Sequence, residues 1–357
     1  MIIKLEPNEQ FYATIIDTFR TGGVVGLPTD TIYGLAVDGT NKDAVEKLSR
    51  LKQRAGKPYT FFISKNNLAK YALIVKQKII GYFVPGPLTI ILKKNPETTL
   101  YCTEENIGIR IPQTDYILKL LTMYQLPLAV TSANISGEGT LISAPDIADK
   151  FTDIDLVIDG GTVKGEPSTI LDLTTTPPTV RRKGKIAILE IEKIYGRRLL
   201  LTPSLKFNLL FVCTGNSCRS PLAEGIFRTM VDQRHVEVRS AGTNTVNGLA
   251  ASDFAQKVVA EFGGTITDHV TKEITLDLIR WADLILVMGY KQYQTVLEFM
   301  PDAAAKTFLL KEYKRRSKYN EVSDPVGKDL AAYRDCALGM YPSLKFVARD
   351  IEKRFRP

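Results

Sequence analysis

The chain has 357 residues, 44% of them hydrophobic, which allows two domains that each bury their own core. Its net charge of +8 permits contact with nucleic acid or acidic proteins but singles out neither, because surface lysines are usually only solvated. No stretch reaches membrane-spanning length, and Glu6 and Pro7 stand where a signal peptide needs an apolar segment. We therefore expect a cytoplasmic protein without membrane contact, and the four cysteines fit a reducing compartment.

Apolar runs alternate with helical segments and turns, without repeats or low-complexity tracts, and this pattern predicts α/β architecture. The predicted helices are residues 41–51 and 115–124. The predicted buried strands are residues 24–27, 88–92, 128–130 and 156–158. A Gly-Arg-Arg turn, a leucine run and Thr-Pro-Ser then indicate a connection between domains. The predicted organisation is a first domain at residues 1–195, a linker at 196–206 and a second domain at 207–357.

The most distinctive stretch of the first half is residues 27–35, where a strand ends in a loop rich in hydroxyl groups and a carboxylate. Such a loop suits a small polar ligand. Further basic, hydroxyl-bearing and Pro/Gly-containing motifs follow at residues 52–58, 85–89, 108–112, 131–137, 168–170 and 182–184. Taken singly, each has an ordinary structural explanation as a turn, a solvated Lys/Arg pair or a hydroxyl that caps the backbone.

Taken together and in this order, the motifs resemble the YrdC-like family of threonylcarbamoyl-AMP synthases from Pro7 to Ile191. The resemblance implies a twisted, open, mixed α/β sheet with a concave, positively charged face. It implies L-threonine, bicarbonate and ATP as substrates, with Mg²⁺ as the partner of ATP and no metal held by the protein. It implies tRNA as an indirect partner, through a downstream transferase complex that modifies it. There is no Gly-Lys-Ser/Thr phosphate loop, so ATP binding rests on the family likeness.

The resemblance also assigns residues to the two substrates. The implied ATP-binding residues are Lys52, Arg54, Lys57, Ser132, Asn134 and Arg182. The implied threonine-binding residues are Thr31, Arg110, Thr131 and Ser168. Condensing ATP, L-threonine and bicarbonate requires cations that hold polyphosphate and polar groups that hold an amino acid.

Residues 211–221 of the second half carry a complete catalytic apparatus in one stretch. An apolar strand is predicted at residues 208–212, and a helical segment is predicted from Pro221 to Arg234, so the loop between them lies at a helix N-terminus. Backbone N–H groups and the helix dipole bind anions at such a position. We expect the thiol of Cys213 beneath the anion and Arg219 beside it, and the same field should lower the pKa of the thiol.

The acid that a leaving group needs is offered by Asp324, in an Asp-Pro-Val-Gly loop farther along the chain. Two ordinary explanations of the cysteine pair are buried packing and half of a metal site. Four cysteines and two histidines cannot supply the usual paired zinc spacing. A buried strand also has no need of Gly-Asn-Ser-Cys-Arg-Ser after its cysteine. These residues therefore favour phosphoryl chemistry on a thiolate.

From residue 207 to the C-terminus the chain resembles the low-molecular-weight protein tyrosine phosphatases, including their arginine-phosphatase branch, with further signatures at residues 240–243, 282–288 and 309–313. The resemblance implies a parallel sheet with a strand, phosphate loop and helix, phosphorylated proteins as substrates, and no cofactor. It makes Cys213 the nucleophile, Arg219 and Ser220 its helpers and Asp324 the acid. The implied phosphate-binding loop contains Thr214, Gly215, Asn216, Ser217 and Cys218. Cys218 matches a position able to form a reversible disulfide with the nucleophile, or it simply packs.

Two positions bear on the phosphatase substrate. Ser217 replaces the branched apolar residue usual in tyrosine phosphatases of this family, and Val326 replaces the usual aromatic after Asp-Pro. Without that ring, about 0.5 to 1.5 kcal/mol of stacking on phosphotyrosine is lost, so we hypothesise a preference for phosphoarginine. Three basic clusters, at residues 181–185, 314–316 and 354–356, are candidate contacts for RNA, with a solvated surface as the alternative.

The sequence as a whole predicts a bifunctional enzyme that joins threonylcarbamoyl-AMP synthesis to protein dephosphorylation. The alternative is an RNA-binding or carrier module without synthase activity, fused to a docking pseudophosphatase. The intact Lys52, Arg54, Ser132 and Asn134 argue against the first part of that alternative. The intact Cys213, Arg219 and Asp324 argue against the second.

Overall fold

The computed structural model describes residues 1–53, 58–73, 78–101, 105–135, 137–313 and 321–356. It divides into two compact units, Met1–Ile186 and Ala187–Pro357. The division precedes the predicted linker, so residues 196–206 lie wholly inside the second unit. The physical reason is a helix at Ile188–Tyr195 whose Glu192 is only 3% exposed and pairs with Arg354 of the same unit.

The first unit is built on ten strands that form one mixed sheet. The strands are β1 (Ile2–Lys4), β2 (Val25–Leu27), β3 (Gly34–Asp38), β4 (Thr60–Phe62), β5 (Leu88–Lys93), β6 (Asn106–Arg110), β7 (Leu128–Ser132), β8 (Leu156–Asp159), β9 (Thr169–Asp172) and β10 (Thr179–Arg182). Within this unit they lie in the order β1-β8-β2-β3-β7-β4-β6-β5-β9-β10. The pairs β1·β8, β2·β8, β4·β6 and β5·β9 are parallel, and the remaining neighbours are antiparallel.

Helices cover this sheet. They are α1 (Glu9–Arg20), α2 (Lys42–Leu51), α3 (Leu68–Tyr71), α4 (Lys78–Phe83), α5 (Asp115–Tyr124) and α6 (Ala144–Lys150). Helix α1 begins where Asn8 accepts a hydrogen bond from the N–H of Phe11, which satisfies one of the free donors at a helix start. Its apolar face, with that of α5, forms a core on one side of the sheet, where Ile15, Phe19 and Leu120 are fully buried.

The second unit contains a four-stranded, all-parallel sheet. The strands and helices of the second unit are α7 (Ile188–Tyr195), β11 (Leu200–Leu201), β12 (Phe207–Cys213), α8 (Arg219–Arg228), β13 (Val236–Gly242), α9 (Asp253–Glu261), α10 (Leu276–Trp281), β14 (Leu284–Val287), α11 (Tyr290–Phe299), β15 (Thr307–Leu309) and α12 (Leu330–Glu352). The sheet order is β13-β12-β14-β15. Strand order reverses around β12, and ligands of open α/β sheets bind at the carboxyl end of the strands at such a point. Cys213 ends β12.

The predicted elements agree with the structure, apart from the helix after the phosphate loop. Both predicted helices are α2 and α5, and the strand predictions fall on β2, β5, β7, β8 and β12. Helix α8 begins at Arg219 and ends at Arg228, whereas the prediction ran from Pro221 to Arg234. Helix α8 can begin before Pro221 because a proline in the first turn of a helix has no N–H hydrogen bond to lose. The early end follows from a tight turn in which the N–H of Met230 bonds the carbonyl of Phe227.

Burial bears on one of the predicted basic clusters. Arg354 is 0% exposed, so the predicted basic patch at residues 354–356 does not include it as a surface group. The cluster at residues 314–316 lies outside the described residues. Across the described part of the chain, helices that combine the length and apolar character needed to cross a membrane are absent.

Candidate active sites

A polar cavity of about 170 Å³ opens on the sheet of the first unit. The strand register assembles it, because Phe62 of β4 lies beside Arg110 of β6, and Ile170 of β9 lies between Thr89 of β5 and Arg182 of β10. The polar side chains that line it are Thr29, Tyr33, Thr60, Thr89, Arg110, Thr131, Ser132, Ser168 and Arg182. Hydroxyl groups and two guanidinium groups therefore face one cavity.

Arg110 is held in a cradle of acceptors. Its Nε donates to the carbonyl of Gly86, its Nη1 to the hydroxyl of Thr31 at 2.9 Å, and its Nη2 to Asp30 at 2.5 Å. The side chain is 5% exposed, and burial lowers the pKa of the guanidinium while the charge of Asp30 opposes that change. A guanidinium has five N–H donors, so two remain after these bonds to meet a planar anion such as a carboxylate.

A second guanidinium lies near the first. Arg182 donates through Nε and Nη2 to the carbonyl of Ser168 and through Nη2 to its hydroxyl at 3.0 Å. The Ser168 hydroxyl in turn lies 2.8 Å from that of Thr89. Burial lowers the pKa of Arg182, and the charge of Arg182 contributes to the lowered pKa of Arg110. Two cations in one partly buried cavity make it receptive to an anion.

Lys52 has a different environment from the one the sequence suggested. Its ammonium group donates to the carbonyl of Ser132 at 2.6 Å, and to both the carbonyl and the side-chain oxygen of Asn134. Lys52 is 1% exposed, and these acceptors match the three donors of an ammonium group. In this arrangement it holds the loop after β7, and Asn134 is directed to Lys52 and to the Ser132 hydroxyl.

Three of the remaining predicted residues lie at or beside this cavity. Thr131 and Ser132 line the cavity, and Thr31 touches it through Arg110. Arg54 and Lys57 lie outside the described residues. Thr29, Thr89 and Asp30 received no role from the sequence. The sequence could have indicated Thr29 and Thr89, because both hydroxyls stand within the polar motifs. The pairing of Asp30 with Arg110 spans 80 residues and becomes visible only in the folded structure.

In the second unit, residues 213–219 form the phosphate-binding loop between β12 and α8. The sulfur of Cys213 is 3.0 Å from the Ser220 hydroxyl and accepts the backbone N–H of Asn216 at 3.2 Å. Helix α8 begins at Arg219, so its free N–H groups and dipole face the same loop. The structure therefore places thiol, hydroxyl and helix N-terminus together, as the sequence predicted.

Asn216 fixes the shape of this loop. It has φ of 50° and is 0% exposed, a left-handed conformation that asparagine tolerates better than most residues. Its side chain donates to the hydroxyls of Ser220 and Ser240, each at 2.9 Å, and accepts the N–H of Lys272. His269 contacts the Asn216 carbonyl at 2.8 Å. These bonds over-determine the turn, which is how a strained backbone persists at a functional site.

The other members of the loop are also tied down. The Thr214 hydroxyl accepts from Gln292 at 2.8 Å, and the Gly215 carbonyl accepts from Thr245 at 2.7 Å. The Ser217 carbonyl accepts the N–H of Ser252. The sulfur of Cys218 lies 3.0 Å from the hydroxyl of buried Tyr333, whose pKa burial raises to about 12.

Arg219 and Asp324 meet directly. Arg219 Nη2 lies 2.6 Å from Asp324 Oδ2, with Arg219 largely buried and Asp324 half exposed. This pair brings residues 105 positions apart to one site and places a carboxylate beside the phosphate-binding loop. Val326, two residues on, is 61% exposed, so an apolar side chain without a ring stands at the rim.

The predicted low pKa of the Cys213 thiol is not what the structure gives. Burial raises the pKa of this thiol above its ordinary value, because the sulfur is almost completely removed from solvent. The hydrogen bonds from Ser220, the charge of Arg219 and the N–H of Asn216 act in the opposite direction. The prediction omitted desolvation, which is the largest influence on this thiol.

The two sites define two classes of enzyme: a synthase site made of cationic and hydroxyl groups on a mixed sheet, and a cysteine phosphatase site on a parallel sheet. The profile of the Sua5/YciO/YrdC family, described as "Telomere recombination", matches residues 17–184. The profile of the low molecular weight phosphotyrosine protein phosphatases matches residues 208–354. Both family matches fall inside the corresponding structural unit.

Individual relatives agree. A Methanocaldococcus jannaschii protein that carries the threonylcarbamoyl-AMP synthase name is 36% identical over 203 residues, 54% of this chain and 97% of that protein. The threonylcarbamoyl-AMP synthase of Pyrococcus abyssi is 35% identical over 50% of this chain, which spans only 55% of that relative's length. The protein-arginine-phosphatase of Bacillus subtilis is 32% identical over 41% of this chain and 97% of that protein.

A solved structure of P. abyssi Sua5 complexed with L-threonine has a TM-score of 0.54 and 20% identity, covering 97% of this chain and 98% of that one. At this identity the match supports the fold alone. The chain belongs to the threonylcarbamoyl-AMP synthase family through its first unit and to the low-molecular-weight protein phosphatase family through its second.

Proposed function

We propose that the first unit makes threonylcarbamoyl-AMP from L-threonine, bicarbonate and ATP, for threonylcarbamoyladenosine modification of tRNA. The observation that carries the proposal is the pair of guanidinium groups, from buried Arg110 and exposed Arg182, that face one hydroxyl-lined cavity. Arg110, preorganised by three acceptors, suits the carboxylate of threonine. Thr31, Thr131 and Ser168 supply the polar groups around the amino acid.

ATP would bind as its Mg²⁺ complex, and Ser132, Asn134 and Arg182 are its proposed contacts in the described part of the chain. Lys52 enters this proposal with a changed role. Since its ammonium group already has three acceptors on residues 132 and 134, we assign it to holding the loop that presents Ser132. Arg54 and Lys57, both cationic, remain proposed phosphate contacts from the sequence alone.

The test is pyrophosphate release by the full chain, with ATP and Mg²⁺, in the presence and absence of L-threonine and bicarbonate. We expect release only when both are present. Release that ignores threonine would reject the synthase assignment. The absence of release under every condition would favour an RNA-binding or carrier module, and that alternative predicts tRNA binding that is independent of threonine and ATP.

We propose that the second unit hydrolyses protein phosphoresidues through a phosphocysteine intermediate. Cys213 attacks phosphorus, its S–P bond forms as the P–O or P–N bond to the leaving group breaks, and Asp324 gives that group a proton. Arg219 and the loop N–H groups hold the equatorial oxygens. Water then attacks the phosphorus of the phosphocysteine: a new O–P bond forms as the S–P bond breaks, inorganic phosphate and the Cys213 thiolate are released, and the proton of the water returns to Asp324. The supporting observation is the convergence of Cys213, Ser220, Arg219 and Asp324.

Phosphoarginine is the proposed preferred substrate. Ser217 presents a hydroxyl where a branched apolar residue would narrow the pocket, and Val326 offers no ring for stacking on phosphotyrosine. Side-by-side kcat/KM values on phosphoarginine and phosphotyrosine peptides test this. We expect phosphoarginine to be preferred and Ser217→Ile to lower that preference. A tyrosine preference that Ser217→Ile leaves unchanged would contradict it.

A cytoplasmic location completes the proposal. A thiolate nucleophile requires a reducing compartment, since oxidation would cap it. ATP and tRNA are also substrates and partners of that compartment. Fractionation with a thiol-trapping reagent should recover Cys213 reduced in the cytoplasmic fraction, and its recovery as an oxidised species from another fraction would contradict the location.

A further inference from the structure

The starting point is a helix end without its own cap. Helix α11 begins at Tyr290, and its N-cap residue is Gly289, which has no side chain to bond the free N–H groups of the first turn. Glu321, 31 residues farther along, accepts the N–H of Tyr290 at 2.7 Å. A carboxylate at a helix N-terminus also gains from the helix dipole. A loop residue thus caps this helix from outside.

The approach of that carboxylate is close. A Cβ atom at Gly289 would lie 2.8 Å from Glu321 Oε1, closer than such atoms come in proteins. Gly289 has φ of −166°, an extended conformation open to any residue, so its backbone does not demand glycine. The space that glycine leaves is therefore occupied by the Glu321 carboxylate.

Glu321 begins the segment that carries the general acid. We call residues 321–327 the acid loop. Its next residue, Val322, donates its N–H to the carbonyl of Met288 at 2.8 Å and accepts from Arg219 Nη1 at 3.5 Å. Lys311 donates to the Glu321 carbonyl at 3.0 Å. The start of the acid loop is thereby fastened to the end of β14 and the start of α11.

Asp324 follows three residues after Glu321. Its Oδ2 lies 2.6 Å from Arg219, and its Oδ1 accepts the N–H of Val326 at 3.2 Å. Asp324 is half exposed, so packing does little to fix its place. Besides the ion pair with Arg219, its position depends on how the short span from residue 321 to residue 324 is anchored.

We propose that Glu321 is a positioning residue that sets Asp324 for proton donation by capping helix α11 across the edge of the phosphatase site. The inference rests on the proposed role of Asp324 as the acid. Glu321 itself is exposed and has no part in the core, so its capping bond matters to the loop more than to the stability of the unit.

The experiment compares kcat/KM on phenyl phosphate, whose leaving group needs a proton, with p-nitrophenyl phosphate, whose leaving group does not. A positioned acid contributes about 10²- to 10⁴-fold, and we expect Glu321→Ala to lose about tenfold of it on phenyl phosphate. On p-nitrophenyl phosphate the loss should stay within about twofold.

Thr275→Ala is the matched control. Thr275 caps α10 of the same unit by accepting the N–H of Leu278 at 3.2 Å, and its carbonyl accepts the N–H of Ile279 in the same helix. We expect this variant to show no split between the substrates. If Glu321→Ala and Thr275→Ala behave alike, or if Glu321→Ala slows both substrates equally, the positioning role is refuted.

Asp324→Asn separates this inference from the proposed function. We expect it to show a larger split than Glu321→Ala, and the double variant to lose nothing more on phenyl phosphate than Asp324→Asn alone, because Glu321 acts through Asp324. Losses that multiply in the double variant would refute the inference while leaving Asp324 as the acid. Equal losses on both substrates for Asp324→Asn would instead refute the acid role.

Discussion

The two active sites differ in how their residues are distributed along the chain. The phosphatase site takes its proposed nucleophile, anion-binding amides and arginine from residues 213–220, and its proposed acid, Asp324, comes from a distant loop. The synthase-type cavity takes side chains from loops and strands between Thr29 and Arg182. A contiguous site is specified by local geometry, whereas a dispersed site exists only when the sheet register is correct. We therefore expect one substitution to abolish the activity of the contiguous phosphatase site. A single substitution in the dispersed cavity should lower its activity only in part.

The largest expected effect follows from this contrast. Cys213→Ser should reduce phosphatase activity below detection, because a serine hydroxyl without an adjacent general base is a far weaker nucleophile than a thiolate. Threonine-dependent pyrophosphate release by the same protein should be unchanged. Phosphatase assays and pyrophosphate release on one preparation measure both. Persistent phosphatase activity in the variant would mean that Cys213 is not the nucleophile.

A graded effect is expected at the dispersed site. Arg110→Ala removes one of several polar groups, and charge-assisted hydrogen bonds contribute about 1.5 to 3 kcal/mol, so KM for threonine should rise about 10- to 100-fold. Arg20→Ala, which removes an exposed arginine from the same unit, is the control and should leave KM unchanged. A change in kcat with KM for threonine unaltered would remove Arg110 from the threonine site.

The same contrast explains what the sequence could and could not predict. Cys213, Ser220 and Arg219 follow a strand and open a helix, so their meeting could be predicted from local patterns. Thr131, Ser168 and Arg182 acquired meaning only by resemblance to a family, because spacing does not reveal register. Local sequence patterns also did not indicate the ion pair of Asp30 with Arg110. They did not indicate the burial of Lys52 and Cys213, because burial depends on which residues pack around a group.

The domain boundary is a second place where local patterns were insufficient. Residues 195–206 have the composition of a linker, yet Arg198 bonds Glu192 and Asp350 at 2.8 and 2.9 Å. Arg354 pairs with Glu192 through two bonds while fully buried. Turn-rich composition indicates where a chain bends, but a buried ion network of this kind indicates which core it belongs to.

A substitution that breaks the ion pairs of Glu192 should test where the second unit begins. Glu192→Ala leaves Arg354 buried without its two-bond partner, and removal of one member of a buried pair costs about 3 to 5 kcal/mol. Trp281 is the only tryptophan of the chain and lies in the second unit, so its fluorescence follows the unfolding of that unit by urea. The free energy of unfolding should fall by that amount if residues 187–206 are part of the second unit.

Glu261→Ala is the control for this experiment. Glu261 pairs with Arg334 in the same unit, with both side chains at least 40% exposed, and such pairs contribute little to stability because solvent screens them. Equal losses in the two variants would show that the network is no more than a surface contact and that the linker interpretation of residues 196–206 should stand.

The smallest expected effect is a pH dependence carried by Asp350. Burial alone would raise the pKa of this carboxyl, but the charges of Arg354 and Arg198 and the hydrogen bonds from Arg198 and Tyr313 bring the pKa below its ordinary value. A carboxyl with a lowered pKa in the folded state stabilises the fold at pH values above its unfolded pKa of about 3.9. That contribution is lost as pH falls through the folded pKa.

Urea unfolding followed by Trp281 at pH 5 and pH 3 measures this difference. Between these values the wild type should lose up to about 1 kcal/mol more stability than Asp350→Asn, which has no proton to gain at this position. Asp350→Asn will itself be less stable at pH 5, because Arg354 and Arg198 lose a charged partner, so the pH slope is the decisive quantity. Equal slopes for the two proteins would mean that Asp350 has the same pKa in the folded and unfolded states. The network would then hold residues 187–206 through Glu192, with Asp350 as a hydrogen-bond acceptor whose charge adds nothing.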